Sequence, residues 1–101
     1  MIRHIALYTL TQKAHDEGLE QVIEKIDKSV KSMVSKVPGL LHAEASLNLD
    51  KTSPHDLFFY SEFERMEDIP PYLKSVVHQA HADMADGYVE NKEGVDVEVD
   101  V

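Results

Sequence analysis

The segment Leu57-Phe58-Phe59-Tyr60-Ser61-Glu62-Phe63 is a run of strand-forming residues, and both faces that it presents as a strand are largely apolar. A strand of that kind has to be covered on two sides. Residues 2–10 make the same demand, because alternation puts Ile5 and Leu7 on one side and His4, Ala6, Tyr8 and Leu10 on the other, and neither side is convincingly polar. Any fold for the chain must therefore lay material on both faces of its sheet.

The intervening segments define what is available. Residues 11–15 read as a polar connection, followed by Asp16 as an N-cap and Glu17 in a first helical turn, where the helix dipole favours an acid. A long helix follows, with Leu19, Val22, Ile23, Ile26, Val30, Met33, Val34 and Val37 on one face of a 3.6-residue period, and Pro38-Gly39 ends it. Residues 41–49 alternate cleanly, with Leu41, Ala43, Ala45, Leu47 and Leu49 facing one way. The turn-rich residues 48–54 connect this strand to the one at Leu57 as a hairpin.

Pro70-Pro71 suits the first turn of a second helix, whose apolar face is Leu73, Val76, Val77, Ala80 and Met84, with Gly87 as its stop. Residues 94–101 show the plainest period-2 alternation in the chain and form the last strand. The order β-α-β-β-α-β predicts an α+β, ferredoxin-like fold: a four-stranded antiparallel sheet with both helices on one face. Two helices cover one face only, so a second copy packed sheet against sheet is the expected cover for the other, giving a homodimer.

At 101 residues the chain is expected to be one domain, residues 1–101. It has no cysteine, so disulfides and thiolate metal sites are excluded and cytoplasmic residence is the expectation. No signal-type or membrane-spanning apolar run is present. The formal net charge of −9 repels phosphate backbones and anionic lipid, which sets aside nucleic acid and membranes as partners. Lys25, Lys28, Lys31 and Lys36 lie at helical spacing beside Glu20, Glu24 and Asp27, the pattern of a solvated helix face with mixed ion pairs.

Side chains able to exchange protons near neutral pH concentrate in residues 72–81, which hold Tyr72, His78 and His81. A helical i, i+3 histidine pair needs at least one further ligand to hold a metal, and none is signalled, so no metal or other cofactor is expected. His4 in an alternating strand is ordinarily a packed histidine satisfied by one hydrogen bond, and Tyr72 at a helix start is ordinarily a half-buried anchor. Asp96, Glu98 and Asp100 share a strand face at about 7 Å spacing and read as a solvated acidic surface.

The opening Ile2-Arg3-His4-Ile5, the Val37-Pro38-Gly39-Leu40 after the first helix and the Glu62-Phe63-Glu64 at the end of the third strand together resemble the stress-responsive dimeric α/β barrel (Dabb) family. Tyr72 and His78 fall in the register of that family's Tyr-x-x-His-Pro-x-His motif, with Ser75 and Val76 in place of its first histidine and proline. Asp96 falls where the last strand of the family commonly carries an aspartate, and Leu57 stands where a cyclase member has a further histidine. The resemblance covers the whole chain and implies a dimeric α/β barrel with His4, Tyr72 and His78 as the catalytic candidates. It also implies a small aromatic or polyketide-like ligand, with His78 as general base assisted by Tyr72 and His4.

In one straight helix Tyr72 and His78 project about 120° apart, so their convergence requires a break near Val76. His81 lies outside the matched register, and His55 just outside the third strand. The competing expectation is a non-catalytic homodimer with a stress-linked structural or binding role, its histidines merely packed.

Overall fold

The computed structural model describes residues 1–100. The chain runs through β1 (Ile2–Leu10), α1 (Gln12–Glu17), α2 (Leu19–Ser32), β2 (Leu40–Leu47), β3 (Leu57–Phe63), α3 (Ile69–Lys74), α4 (Val76–Ala85) and β4 (Val89–Glu98), with a 3₁₀ turn at Met66–Asp68 leading into α3. The strands form one antiparallel sheet in the order β2-β3-β1-β4. The ferredoxin-like arrangement stands, but residues 11–15, expected as a polar connection, hold most of a short helix of their own, and the second predicted helix is divided.

The added helix is separated from the long one at Gly18. Thr11 caps α1 by accepting a hydrogen bond from the Ala14 amide, so Asp16 lies inside a helix and is not its cap. Gly18, at φ 106°, then stops α1 and starts α2 with a backbone conformation that side-chain-bearing residues rarely adopt. Along α2, Val22, Ile26, Val30 and the following Met33 are fully buried against the sheet, each contributing roughly 1.5–3 kcal/mol relative to exposure. The helix ends at Ser32, earlier than Pro38, because Met33 and Val34 bond to Val30 and Lys31 in tighter i+3 turns. Val37 is still buried, so the apolar period outlasts the helix that it was read from.

Two bulges correct the predicted strand faces. In β2, Leu40 pairs with Phe63 and His42 with Glu62, which leaves Leu41 as an extra residue. Leu40 therefore faces the core with Ala43 and Ala45, while Leu41 is exposed. The strand stops at Leu47, short of the predicted Leu49, because the Asn48 amide turns to the Asp56 carbonyl and its side chain accepts from the Asp50 amide. β4 starts at Val89, ahead of the expected Gly94, and ends at Glu98; Val101, the expected last residue of that strand, lies outside the described residues. Its register with β1 shifts between Leu7 and Thr9, where Asn91 takes a left-handed φ of 54°.

The helix side of the sheet holds Leu57 and Phe63 of β3, both fully buried, together with Ile2, Ala6 and Leu10 of β1. Leu7 pairs with Phe58, and Ile5 pairs with both Tyr60 and Val95, on the opposite face. That face stays open: Val95 and Val97 are 51% and 40% exposed. No helix among the described residues is long and apolar enough to cross a membrane.

Candidate functional site

The division of the second predicted helix builds the site. Pro70 and Pro71 start α3 with preset φ angles, and Ser75 ends it in extended conformation at φ −70°, ψ 151°. The Ser75 hydroxyl donates to the Tyr72 carbonyl at 2.7 Å and accepts from the His78 amide at 3.0 Å, so one side chain closes α3 and caps α4. Val76 follows at the first position of α4, where the family motif has proline. The required break is supplied by the serine one residue earlier.

Breaking the helix also rotates its buried face. Leu73 and Val76 are exposed, Val76 at 85%, and Ala80 is exposed as well, which corrects the predicted apolar stripe. Ile69, Tyr72, His81 and Ala85 are the buried residues of α3 and α4, with Val77 and Met84 half-buried against the core. The Tyr72 and His78 rings meet at 4.6 Å between centroids, inclined at 68°. Phe63 lies 5.2 Å from Tyr72, and Phe59 lies 5.6 Å from His81, so strand β3 supplies the aromatic floor beneath them.

A cavity of about 220 Å³ lies between the sheet and these helices. His4, Tyr72 and His78, the three residues marked out in the sequence, all line it, joined by Tyr8, Ser61 and His81. Ala6, Phe59 and Val30 form apolar wall. Among the described residues no buried side-chain nitrogen or oxygen lacks a partner, so the hydroxyls of Tyr8, Ser61 and Tyr72, which bond to no protein group, reach open space.

His4 does not stand alone. Its Nδ1 pairs with the carboxylate of Asp96, the residue opposite it in the β1–β4 register. Asp96, which falls where the family's last strand commonly carries an aspartate, therefore departs from the solvated acidic face expected for it, and its partner became legible only with that register. His81, expected to lie outside the site, forms part of its wall and shares a 2.7 Å hydrogen bond with Ser29 of α2. Leu57, fully buried, fills the position of the cyclase member's extra histidine, while buried His55 places Nε2 4.0 Å from Glu93 and does not line the cavity.

Burial sets the protonation states. It pushes the Tyr72 phenol up to about 12, with a smaller contribution from Tyr8, and it raises Tyr8 as well. Burial also lowers His78, partly opposed by a hydrogen bond to the Leu73 backbone and assisted by Lys92 and His4. His81 falls to about 4, through burial and then the charge of His78. At neutral pH the cavity thus presents phenols that can donate and neutral imidazoles that can accept a proton. No group of three or more His, Asp or Glu among the described residues is placed to hold a metal ion.

Fold and cavity together define a ferredoxin-like α+β protein with a histidine- and tyrosine-lined pocket between sheet and helices. The chain belongs to the stress responsive A/B barrel domain (Dabb) family, whose profile matches residues 2–99. No curated protein matches it in sequence. Among solved structures it is similar to a dimeric protein of ferredoxin-like fold from Bacteroides fragilis, at 22% identity and TM-score 0.83 over 97% of this chain and 95% of that one. A Dabb family protein from Mesorhizobium loti matches at 23% identity and TM-score 0.74, over 97% and 95% of the two chains. The hydroxynitrile lyase of Passiflora edulis matches at 13% identity and TM-score 0.74, over 98% and 93%.

Proposed function

We propose that this chain binds a small, largely apolar or aromatic carbonyl compound in the cavity and transfers protons next to its carbonyl group. The observation that carries this reading is the meeting of Tyr72 and His78, at 4.6 Å between ring centroids, in the same cavity wall as the His4–Asp96 pair. In this reading neutral His78 removes a proton from the carbon beside the carbonyl, and the electron pair passes to the carbonyl oxygen as an enolate. Tyr72, which stays protonated, donates a hydrogen bond to that oxygen. Asp96 holds His4 through Nδ1 and leaves Nε2 for a second contact with the ligand. The apolar walls keep water away and strengthen each of these interactions.

Likeness of fold is not the support, since the neighbours include proteins as different as a hydroxynitrile lyase and a putative antibiotic biosynthesis monooxygenase. The support is the side-chain arrangement. We also propose that the protein works as a homodimer joined through the open sheet face, which carries Ile5, Leu7, Phe58, Val95 and Val97 and which a second copy would bury. The description of a structural neighbour as dimeric supports the same assembly.

The experiment is deuterium exchange at the methyl group of 2-acetylnaphthalene in heavy water, followed by NMR alongside calorimetric binding. The parent should accelerate exchange, and His78→Ala should remove the acceleration while remaining folded. Binding without exchange would leave a non-catalytic binding protein, and no binding would sink the cavity reading itself.

A further inference from the structure

The bulge in β4 has a consequence for what the cavity holds. Ahead of it Val89 pairs with Leu10, and beyond it Gly94 pairs with Ala6 and Asp96 with His4. The extra residue at Asn91, with φ 54°, shifts the alternation so that Lys92, Gly94 and Asp96 share the helix side of the sheet. Without it, the strand phase set by Val89 would send Lys92 and Asp96 to the open face. A left-handed backbone conformation, which asparagine adopts more readily than other side-chain-bearing residues, is thus tied to the placement of two charged side chains at one site.

These two charges differ in kind. Asp96 is matched by His4, whereas Lys92, which lines the same cavity, forms no ion pair with any described residue. Asp86 also borders the cavity but is not within ion-pair distance of the ammonium. The ammonium is near enough to His78 to disfavour its protonated form. The side chain is exposed, so it can hold a ligand group at the open end of the cavity while the apolar body lies deeper, against Ala6 and Phe59. Gly94 sets no side chain between Lys92 and Asp96 on that strand face, and a Cβ there would stand 3.9 Å from the Lys92 stem.

We propose that the natural ligand of this cavity is an organic anion, a small and mainly apolar acid whose carboxylate is held by Lys92. The proposal rests on the cavity being the binding site and adds the chemical class of the ligand and the residue that selects it. Lys92 acts as a specificity-determining residue: it sorts acids from their neutral isosteres and orients the bound acid with its charged end outward.

The test compares 2-naphthoate with 2-naphthamide, which differ in charge and little in shape, by calorimetry on the full chain. The parent should bind the carboxylate more tightly by about fivefold or more, as expected for a charge-assisted contact that is partly exposed to water. Lys92→Met, which keeps the aliphatic stem, should lose that preference while binding the amide within about twofold of the parent, and Lys92→Arg should restore it. Equal binding of both probes by the parent, or a preference that survives in Lys92→Met, overturns the proposal and leaves the cavity reading intact. Failure of the parent to bind either probe removes both together.

Discussion

Tyr72 and His78, six positions apart in the chain, stand edge to face because Ser75 ends one helix and caps the next. In a continuous helix they would diverge by about 120°. The serine is therefore as much a part of the site as the rings that it brings together.

Ser75→Ala removes the cap of α4 and should lower stability by about 1 kcal/mol, a fall in Tm of about 4–8 °C for a domain of this size. Ser75→Asn, which can still cap, should recover most of the loss. Val76→Pro should have the opposite sign: Val76 is the first residue of α4, and Ser75 already has the extended conformation that proline imposes on its predecessor. A gain of roughly 0.4–1 kcal/mol is expected, read as a rise in denaturation midpoint. A destabilised Val76→Pro would show that the break at Ser75 is misplaced.

The β-α-β-β-α-β succession along the chain could be read from the residues because it follows from periodicity, which burial enforces, but the short helix at Gln12–Glu17 could not, since its residues carry almost no apolar face. The bulges at Leu41 and Asn91 could not, since each depends on where one strand lands against its neighbour and no local pattern records it. The same holds for the site. The family resemblance singles out His4, Tyr72 and His78 as candidates, whereas the pairing of Asp96 with His4 follows only from the β1–β4 register. His81 entered the wall because the helix axis turns at Ser75, which α-helical periodicity carried through unbroken does not anticipate.

His81 supplies a pH prediction. Its folded value near 4 lies below the ordinary 6.5, so the folded protein keeps it neutral while the unfolded chain takes up a proton first as pH falls. The stability that this contributes is complete above pH 6.5 and is lost between about 6.5 and 4, by up to about 3 kcal/mol. His78, also lowered, acts in the same direction. His81→Asn, which preserves a hydrogen bond to Ser29 and does not titrate, should show a flatter decline of Tm across that window. Parallel curves for parent and variant would mean that His81 is hydrated rather than buried.

Ile5→Asp places a charge at the centre of the open sheet face, beside Tyr60 and Val95. Sedimentation should give twice the 11.4 kDa protomer mass for the parent and the protomer mass for the variant at micromolar concentration. A parent that sediments as a folded monomer contradicts the proposed interface.

If His4, Tyr72 and His78 act on one ligand, long-range proton–nitrogen NMR of the histidine rings during titration with 2-naphthoate detects it most directly. The imidazole signals of His4, His78 and His81 should shift together along a single binding curve, while those of His15 and His42, which do not line the cavity, stay in place. A ligand that binds and moves only His15 or His42, or that leaves the cavity histidines unmoved, would contradict the account.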